Sequence, residues 1–241
     1  MKKMKPEPLE AAKRFIDEKY PDCDAALLAG SVVRGQGTAA SDLDIVLFDR
    51  SLGGSYRESF IFKEWPVELF AHTLTSYREF FESDRKRGRP SLPRMVVEGI
   101  VLKDSGVATQ IKNEADILLQ QGPEPWSSRT IDLNRYFLTD LLDDLSGSCS
   151  RHEDLFIAGE LAIKLHEFVL RTNQWWTGNS KWVYRSLQEF DPDFAERFAG
   201  AFDRFYRTGD KTAVIQVAEH ILAPVGGRLF EGFSIGKPAD R

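Results

Sequence analysis

Short apolar runs alternate with amphipathic segments in the first half of the chain. Four runs of four to six residues predict buried β-strands, because they are too short for a helix and are bounded by turn residues. The segments between them with apolar residues three and four positions apart predict helices. The predicted strands are residues 25–29, 43–48, 67–72 and 99–102, and the predicted helices are residues 9–20, 73–82 and 108–120. Their order predicts an α/β fold class.

The second half of the chain has only the helical pattern. Gly122-Pro123-Glu124-Pro125 interrupts it and predicts a boundary between two domains, residues 1–122 and 123–241, of which the second is a helical bundle. Residues 84–93 are basic and contain proline, which predicts an exposed loop beside any site in the first domain. The predicted helices of the second domain are residues 128–145, 153–172, 181–190, 193–206 and 212–222.

The composition narrows the class of protein. Lys and Arg number 32 against 37 Asp and Glu, a net charge of -5, and this balance argues against duplex nucleic acid as a partner. No apolar stretch is long enough to cross a bilayer, and the basic N-terminus is followed by no apolar signal region. Cys23 and Cys149 have no metal-ligand spacing. We therefore expect a cytoplasmic protein with reduced, buried thiols.

Two acids flank one apolar residue at the start of the second predicted strand. Strand side chains alternate between faces, so Asp42 and Asp44 would share one face while Leu43 points into the core. Two neighbouring carboxylates repel each other unless a cation lies between them, and Mg²⁺ is the natural occupant. The pair therefore predicts a metal site.

Glu68 is the candidate for a third carboxylate, since it is the one acid of the next predicted strand. Val67, Leu69 and Phe70 around it favour a strand buried on both faces, where an unpaired acid would be costly. The alternative is an edge-strand acid that faces water. Three such carboxylates can hold two metal ions for in-line phosphoryl displacement.

The segment between the first two strands is rich in small residues. Gly30 would let the backbone approach a triphosphate, and the Ser31 hydroxyl and loop N–H groups would donate hydrogen bonds to it. Arg34 would add positive charge, although a solvated surface arginine is an equal alternative. Together with Ser41, these residues form the predicted phosphate-binding loop.

One stretch of the chain resembles the signature of the DNA polymerase β-like nucleotidyltransferase superfamily. It runs from Gly30-Ser31 through Arg34-Gly35-x-Gly37-Thr38 to Ser41-Asp42-Leu43-Asp44, and Glu68 follows it. The stretch is similar to that of the superfamily's bacterial members, including aminoglycoside nucleotidyltransferases. The helical half resembles the streptomycin and spectinomycin adenylyltransferases in pattern alone. The resemblance implies a mixed sheet with helices, Mg²⁺ held by the three acids, Ser31 on the phosphates, and transfer of a nucleoside monophosphate to an acceptor hydroxyl.

In the second domain, Lys181 follows Gly178 and a possible cap at Ser180, which places its charge at a helix N-terminus. The helix dipole disfavours a positive charge at this end, and a bound phosphate would offset that repulsion. The resemblance implies a triphosphate contact here. The alternative is a solvated lysine between packed tryptophans. Trp175, Trp176, Trp182 and Tyr184 are candidates to stack on a ligand ring, or to form core.

Glu160 lies in the middle of a helix among small neighbours and is a candidate general base or acceptor ligand. The alternative, which we favour, is an i,i+4 pair with Lys164. His166 is expected to be a partly buried structural histidine.

The resulting hypothesis is a nucleotidyltransferase that takes ATP with two Mg²⁺ ions and a small-molecule acceptor, for which an aminoglycoside-like compound is one candidate. Residues 1–122 would form the nucleotidyltransferase domain, and residues 123–241 a helical substrate-binding domain. The alternatives are nucleotidylation of a partner protein and a nucleotide-binding or toxin-neutralising module without turnover. Neither the acceptor nor the oligomeric state follows from the sequence.

Overall fold

The computed structural model describes residues 5–38 and 40–236. The chain divides into two compact units, Met1–Gly122 and Pro123–Arg241, which we call the first and second units. No helix of the described residues is long and apolar enough to cross a membrane.

The first unit is built on a mixed five-stranded sheet. The strand order is β3-β4-β2-β1-β5, in which β2 and β4 run parallel and the other neighbours run antiparallel. The predicted mixed sheet with helices is confirmed. The elements are α1 (Pro8–Lys19), β1 (Ala25–Ala29), α2 (Gly30–Val33), β2 (Leu43–Phe48), β3 (Tyr56–Phe62), β4 (Trp65–His72), α3 (Tyr77–Arg87), α4 (Ser91–Glu98), β5 (Ile100–Asp104) and α5 (Ala108–Gln121).

The two faces of this sheet are covered by different helices. On one face, Leu43, Ile45 and Leu47 of β2 join β4 residues and Phe15 of α1 in a buried apolar cluster. On the other face, Val46 and Phe48 pack in a cluster with residues of α3, α4 and α5. Because strand residues alternate, consecutive positions of β2 serve opposite cores.

Strand β3 has no counterpart among the predicted elements. It is an edge strand, and Tyr56, Arg57, Glu58 and Ser59 are all exposed. Such a strand lacks the apolar signal by which buried strands are recognised. Backbone pairing with β4 and the packing of Phe60 and Phe62 against Phe15 of α1 hold it in the sheet.

The predicted exposed loop at residues 84–93 is wrong. The segment contains the end of α3 and the start of α4, and Gly88 ends α3 in the left-handed conformation with φ +71°. Asp84 is buried with 3% exposure, and its carboxylate accepts a hydrogen bond from the N–H of Leu92 at 2.8 Å. Pro93 lies in the first turn of α4, where its missing N–H has no intrahelical partner to lose.

The second unit is helical, as predicted. Ser127, Ser150 and Asp191 each cap a helix by accepting a hydrogen bond from a backbone N–H three residues later. The helices enclose an apolar core to which Leu142, Leu161 and Phe198 belong. They are α6 (Ser128–Gly147), α7 (Arg151–Thr172), α8 (Trp182–Phe190), α9 (Pro192–Thr208) and α10 (Thr212–Leu222), followed by a 3₁₀ turn at Ala223–Val225.

Candidate functional site

Three carboxylates meet at one end of the parallel strand pair. The register places Asp44 of β2 beside Glu68 of β4, and Asp42 lies two residues before Asp44. One carboxylate oxygen from each residue lies within 4.8 Å of the others, and all three residues are half-buried. We call Asp42, Asp44 and Glu68 the carboxylate triad. Among the described residues, the triad is the one cluster of three or more His, Cys, Asp or Glu side chains that could hold a metal ion.

The electrostatics of the triad favour a cation. Burial raises the pKa of Asp44 to about 6, and repulsion from Asp42 and Glu68 adds to the effect, while Arg34 and Arg57 act in the opposite direction. Three hard oxygen donors that destabilise one another's charge are the donor set that Mg²⁺ prefers. The residues present therefore fit a magnesium site.

The surroundings of Glu68 differ from the prediction. β4 is not buried on both faces: Val67 and Leu69 are buried, whereas Glu68 and Phe70 on the opposite face are half-buried. The Glu68 carboxylate accepts a hydrogen bond from the Arg57 guanidinium of β3 at 2.5 Å. The acid is therefore accessible and balanced by an arginine, which removes the cost of an unpaired buried charge.

Gly30 brings the backbone close to the triad. It follows β1 with φ +79°, and a Cβ added there would lie 1.9 Å from Oδ2 of Asp44. Any side chain would both strain the backbone and collide with the carboxylate. The residue must therefore be glycine for Asp44 to keep its position.

The predicted phosphate-binding loop begins as a single helical turn, α2, rather than as an irregular loop. The Ser31 hydroxyl donates to Oγ of Ser41 at 3.2 Å, and the backbone N–H of Thr38 donates to the same oxygen at 2.8 Å. Ser31 and Ser41 thus hold the two ends of the segment together next to the triad. Ala39 lies outside the described residues.

Arg34 is held by a carboxylate rather than solvated at the surface. Its guanidinium donates to Glu98, the last residue of α4, at 2.8 Å, and both side chains are partly buried. Its charge also lowers the pKa of Asp44, against the larger effect of burial. The contact ties the loop to α4.

The candidate residues of the second unit have ordinary local partners. Glu160 is exposed and lies 3.5 Å from the Lys164 ammonium, the i,i+4 pair that we favoured. Lys181 is exposed and occupies the N-cap position of α8. The predicted cap at Ser180 is wrong, because that residue has φ +53° and α8 has no side-chain cap.

The ring residues of the second unit are divided between its core and its surface. Trp176 is buried, whereas Trp175 is 39% exposed and packs edge-on against Phe190. His166 is fully buried, where we expected partial burial, and its Nδ1 lies 2.8 Å from the carbonyl oxygen of Ile163. Of the two cysteines, Cys23 is buried as expected and Cys149 is exposed.

The chain was compared with known proteins and solved structures. The chain is similar to the crystal structure of a nucleotidyltransferase-like protein from Exiguobacterium sibiricum, with a TM-score of 0.47 and 14% identity, over 90% of this chain and 74% of that one. No protein-family model and no curated protein matches the chain. At this level of similarity, the function of that protein does not transfer to this chain.

Two residues near the triad were missed in the sequence. Arg57 lies in the unpredicted edge strand, and Glu98 lies at the end of a helix that was predicted in part as a loop. Each forms an ion pair with a predicted site residue more than ten positions away in sequence. Local patterns hold no signal for such contacts, since the pairing of β3 with β4 creates one and the placement of α4 creates the other.

Proposed function

We propose that this protein is a Mg²⁺-dependent nucleotidyltransferase, which transfers a nucleoside monophosphate from a nucleoside triphosphate to a hydroxyl of a small molecule. AMP, taken from ATP, is the nucleotide that we favour. The observation that carries the proposal is the carboxylate triad beside Gly30, where the backbone comes close enough to a carboxylate to exclude any Cβ. Ser31, next in the chain, belongs to the superfamily signature that the sequence resembles.

The chemistry follows from the residues available. Asp42, Asp44 and Glu68 would hold Mg²⁺, which when bound neutralises charge on the phosphate oxygens. The acceptor oxygen forms a bond to the α-phosphorus as the bond from that phosphorus to the bridging oxygen breaks. The electron pair of the broken bond leaves with pyrophosphate, and the hydroxyl proton passes to solvent. A nucleoside monophosphate ester and pyrophosphate are the products.

The protein's own groups would position the triphosphate. Gly30 lets Asp44 lie against the backbone, and the hydroxyls of Ser31 and Ser41, which lie 3.2 Å apart, would donate to phosphate oxygens. Arg34, fixed by Glu98, supplies positive charge near Asp44. In this proposal the first unit binds nucleotide and metal.

In the second unit, Lys181 is the residue that we propose as a contact for an anion. Support comes from the exposure of Lys181 at the start of α8, where its ammonium has room to meet an anion. Glu160 is assigned no chemical step, because its carboxylate is exposed and near Lys164.

The test is to incubate the protein and its Asp44→Asn variant with α-labelled nucleoside triphosphates, Mg²⁺ and a panel of hydroxyl compounds. We expect label on a small molecule and released pyrophosphate with the wild type only. Label on a co-purifying polypeptide would instead identify a protein acceptor. Absence of both turnover and Mg²⁺·triphosphate binding would refute the proposal.

A further inference from the structure

A cavity of about 470 Å³ lies in the first unit between the β3–β4 hairpin and helices α3 and α4. Phe70, Phe80 and His72 supply ring surfaces to its lining, and Met95 adds a flexible apolar side chain. Burial lowers the pKa of His72 to about 4, so its ring is neutral at neutral pH. The volume is in the range that small-molecule sites occupy in proteins. We call this space the aromatic cavity.

The aromatic cavity adjoins the carboxylate triad. Phe70 lies two residues after Glu68 on the same face of β4, a separation of about 7 Å along a strand. The Arg57 guanidinium contacts both places: it donates to Glu68 at 2.5 Å, and it lies 4.7 Å from the centre of the Phe70 ring. A ligand in the cavity would therefore have its nearer end beside the third carboxylate.

The order of the strands indicates which substrate the cavity serves. The strands lie side by side in the order β1, β2, β4, β3. In the same order they carry Ser31 just after β1, Asp44 on β2, Glu68 on β4 and Arg57 on β3. In a phosphoryl displacement the attacking and leaving oxygens lie in line on opposite sides of phosphorus. With the pyrophosphate at Ser31, the attacking oxygen approaches from the side of Glu68 and Arg57, which is the side of the cavity.

We infer that the aromatic cavity binds the acceptor, and that the acceptor is a hydroxyl compound with an aromatic body and no cationic charge. This inference rests on the proposed function, because it places the acceptor by the direction of nucleotidyl transfer. The rings of Phe70 and Phe80 would contact the aromatic body, and the hydroxyl would lie near Glu68.

The charges around the cavity set the class of acceptor. The charged residues of its described lining are Arg57, Arg87 and Asp84. The Asp84 carboxylate already accepts from the N–H of Leu92 at 2.8 Å and from the Arg87 guanidinium. A polycation would meet two arginines and one carboxylate whose oxygens are already bonded. An aromatic acceptor would instead gain contact with rings and with the flat face of Arg57.

The experiment compares two glucosides that differ in their aglycone. Calorimetric titration of 4-nitrophenyl β-glucoside and of methyl β-glucoside is carried out with Mg²⁺ and a non-hydrolysable ATP analogue present, and kanamycin serves as a polycationic hydroxyl compound. We expect the nitrophenyl compound to bind at least tenfold more tightly than either of the others. Equal or tighter binding of methyl β-glucoside or kanamycin would overturn the inference.

Variants locate the binding. Phe80→Ala removes a ring from the cavity, and Ser91→Trp fills the space from the start of α4. We expect each to weaken binding of 4-nitrophenyl β-glucoside by about fivefold or more and to leave the affinity for the Mg²⁺·nucleotide unchanged. Ile117→Ala is the matched control, since Ile117 is an exposed apolar residue of α5 that does not line the cavity.

The two proposals fail in different ways. If Phe80→Ala and Ser91→Trp weaken nucleotide binding instead, the cavity holds the nucleobase and the inference is wrong. If the wild type binds Mg²⁺·nucleotide but not the nitrophenyl compound, the acceptor inference alone is wrong. If the wild type binds no Mg²⁺·nucleotide, the proposed function is wrong.

Discussion

The two faces of the sheet share the same strands but have different chemistry. Toward α1, β2 presents Leu43, Ile45 and Leu47, all fully buried. On the opposite face, the same strand presents Val46 and Phe48 to helices, but its first residue on that face is Asp44, beside Glu68 of the parallel strand. The apolar face therefore fixes the backbone from which the acids project. Substitution of neighbouring residues of β2 should therefore have different effects: loss of activity on the acidic face and loss of stability on the apolar face.

The largest expected effect is from Asp44→Asn on the acidic face. The substitution keeps the shape of the side chain and removes one of three metal-binding charges, so we expect nucleotidyl transfer to fall by about 10³-fold or more, equivalent to several kcal/mol of lost stabilisation of the reaction. Steady-state release of pyrophosphate measures it. The metal-free variant should be at least as stable as the wild type, because mutual repulsion is relieved. A clear loss of stability would contradict the comparison.

On the apolar face, Leu43→Ala should destabilise the protein by about 2–5 kcal/mol, because it leaves a cavity in a fully buried core. Urea unfolding measures the change. Transfer per folded molecule should fall far less than in Asp44→Asn. If Leu43→Ala instead costs little stability, the apolar face does not anchor the strand.

Gly30→Ala tests the close approach that links β1 to the acidic face. Gly30 and Gly35 have similar positive φ values of +79° and +69°, but an added Cβ meets Asp44 only at Gly30 and meets nothing within 4 Å at Gly35. Gly35→Ala should thus cost about 1 kcal/mol from backbone strain. Gly30→Ala should cost more and should also weaken Mg²⁺ binding. Equal effects of the two substitutions would show that the contact with Asp44 is unimportant.

The metal-free protein should show a pH dependence from Asp44. Its pKa is raised from 3.8 to about 6 in the folded state, so the folded protein binds the proton more tightly than the unfolded chain does. The contribution to stability is fully present below pH 3.8 and is lost as the pH rises through about 6. His72, with its lowered pKa, acts in the opposite direction over part of this range.

The free energy of unfolding is measured for the wild type and for Asp44→Asn across this pH range. The difference between the two proteins isolates the Asp44 contribution from that of His72. Saturating Mg²⁺ should abolish or reverse the loss of stability that Asp44 causes in the wild type as the pH rises. A difference that is independent of pH would contradict the raised pKa.

The smallest effect is expected at Glu160 in the second unit. An exposed i,i+4 pair contributes about 0.3–0.5 kcal/mol, so Glu160→Gln should change the thermal midpoint little and leave the transfer rate within about twofold of the wild type. A tenfold loss of rate without loss of stability would restore Glu160 as a candidate base.

The sequence predicted those features that depend on residues near one another in the chain. The spacing of Asp42 and Asp44, the short apolar strands and the amphipathic helices are all local, and the structure contains them. The edge strand β3 was missed because its first four residues are exposed and its apolar residues Phe60, Ile61 and Phe62 come only at its end. Pairing with β4 and the packing of Phe60 and Phe62 against Phe15 place it in the sheet. The partners of Arg34 and Glu68 were missed for a related reason, since Glu98 and Arg57 reach them only after the sheet and α4 have formed.

The central claim is that the carboxylate triad binds a divalent metal together with a nucleoside triphosphate. Calorimetric titration of Mg²⁺ into the protein with a non-hydrolysable ATP analogue tests it most directly. We predict saturable binding by the wild type, and by Leu43→Ala under conditions where it is folded, with at least a hundredfold weaker binding by Asp44→Asn. Absence of Mg²⁺ binding by the wild type, or equal binding by Asp44→Asn, would contradict the claim.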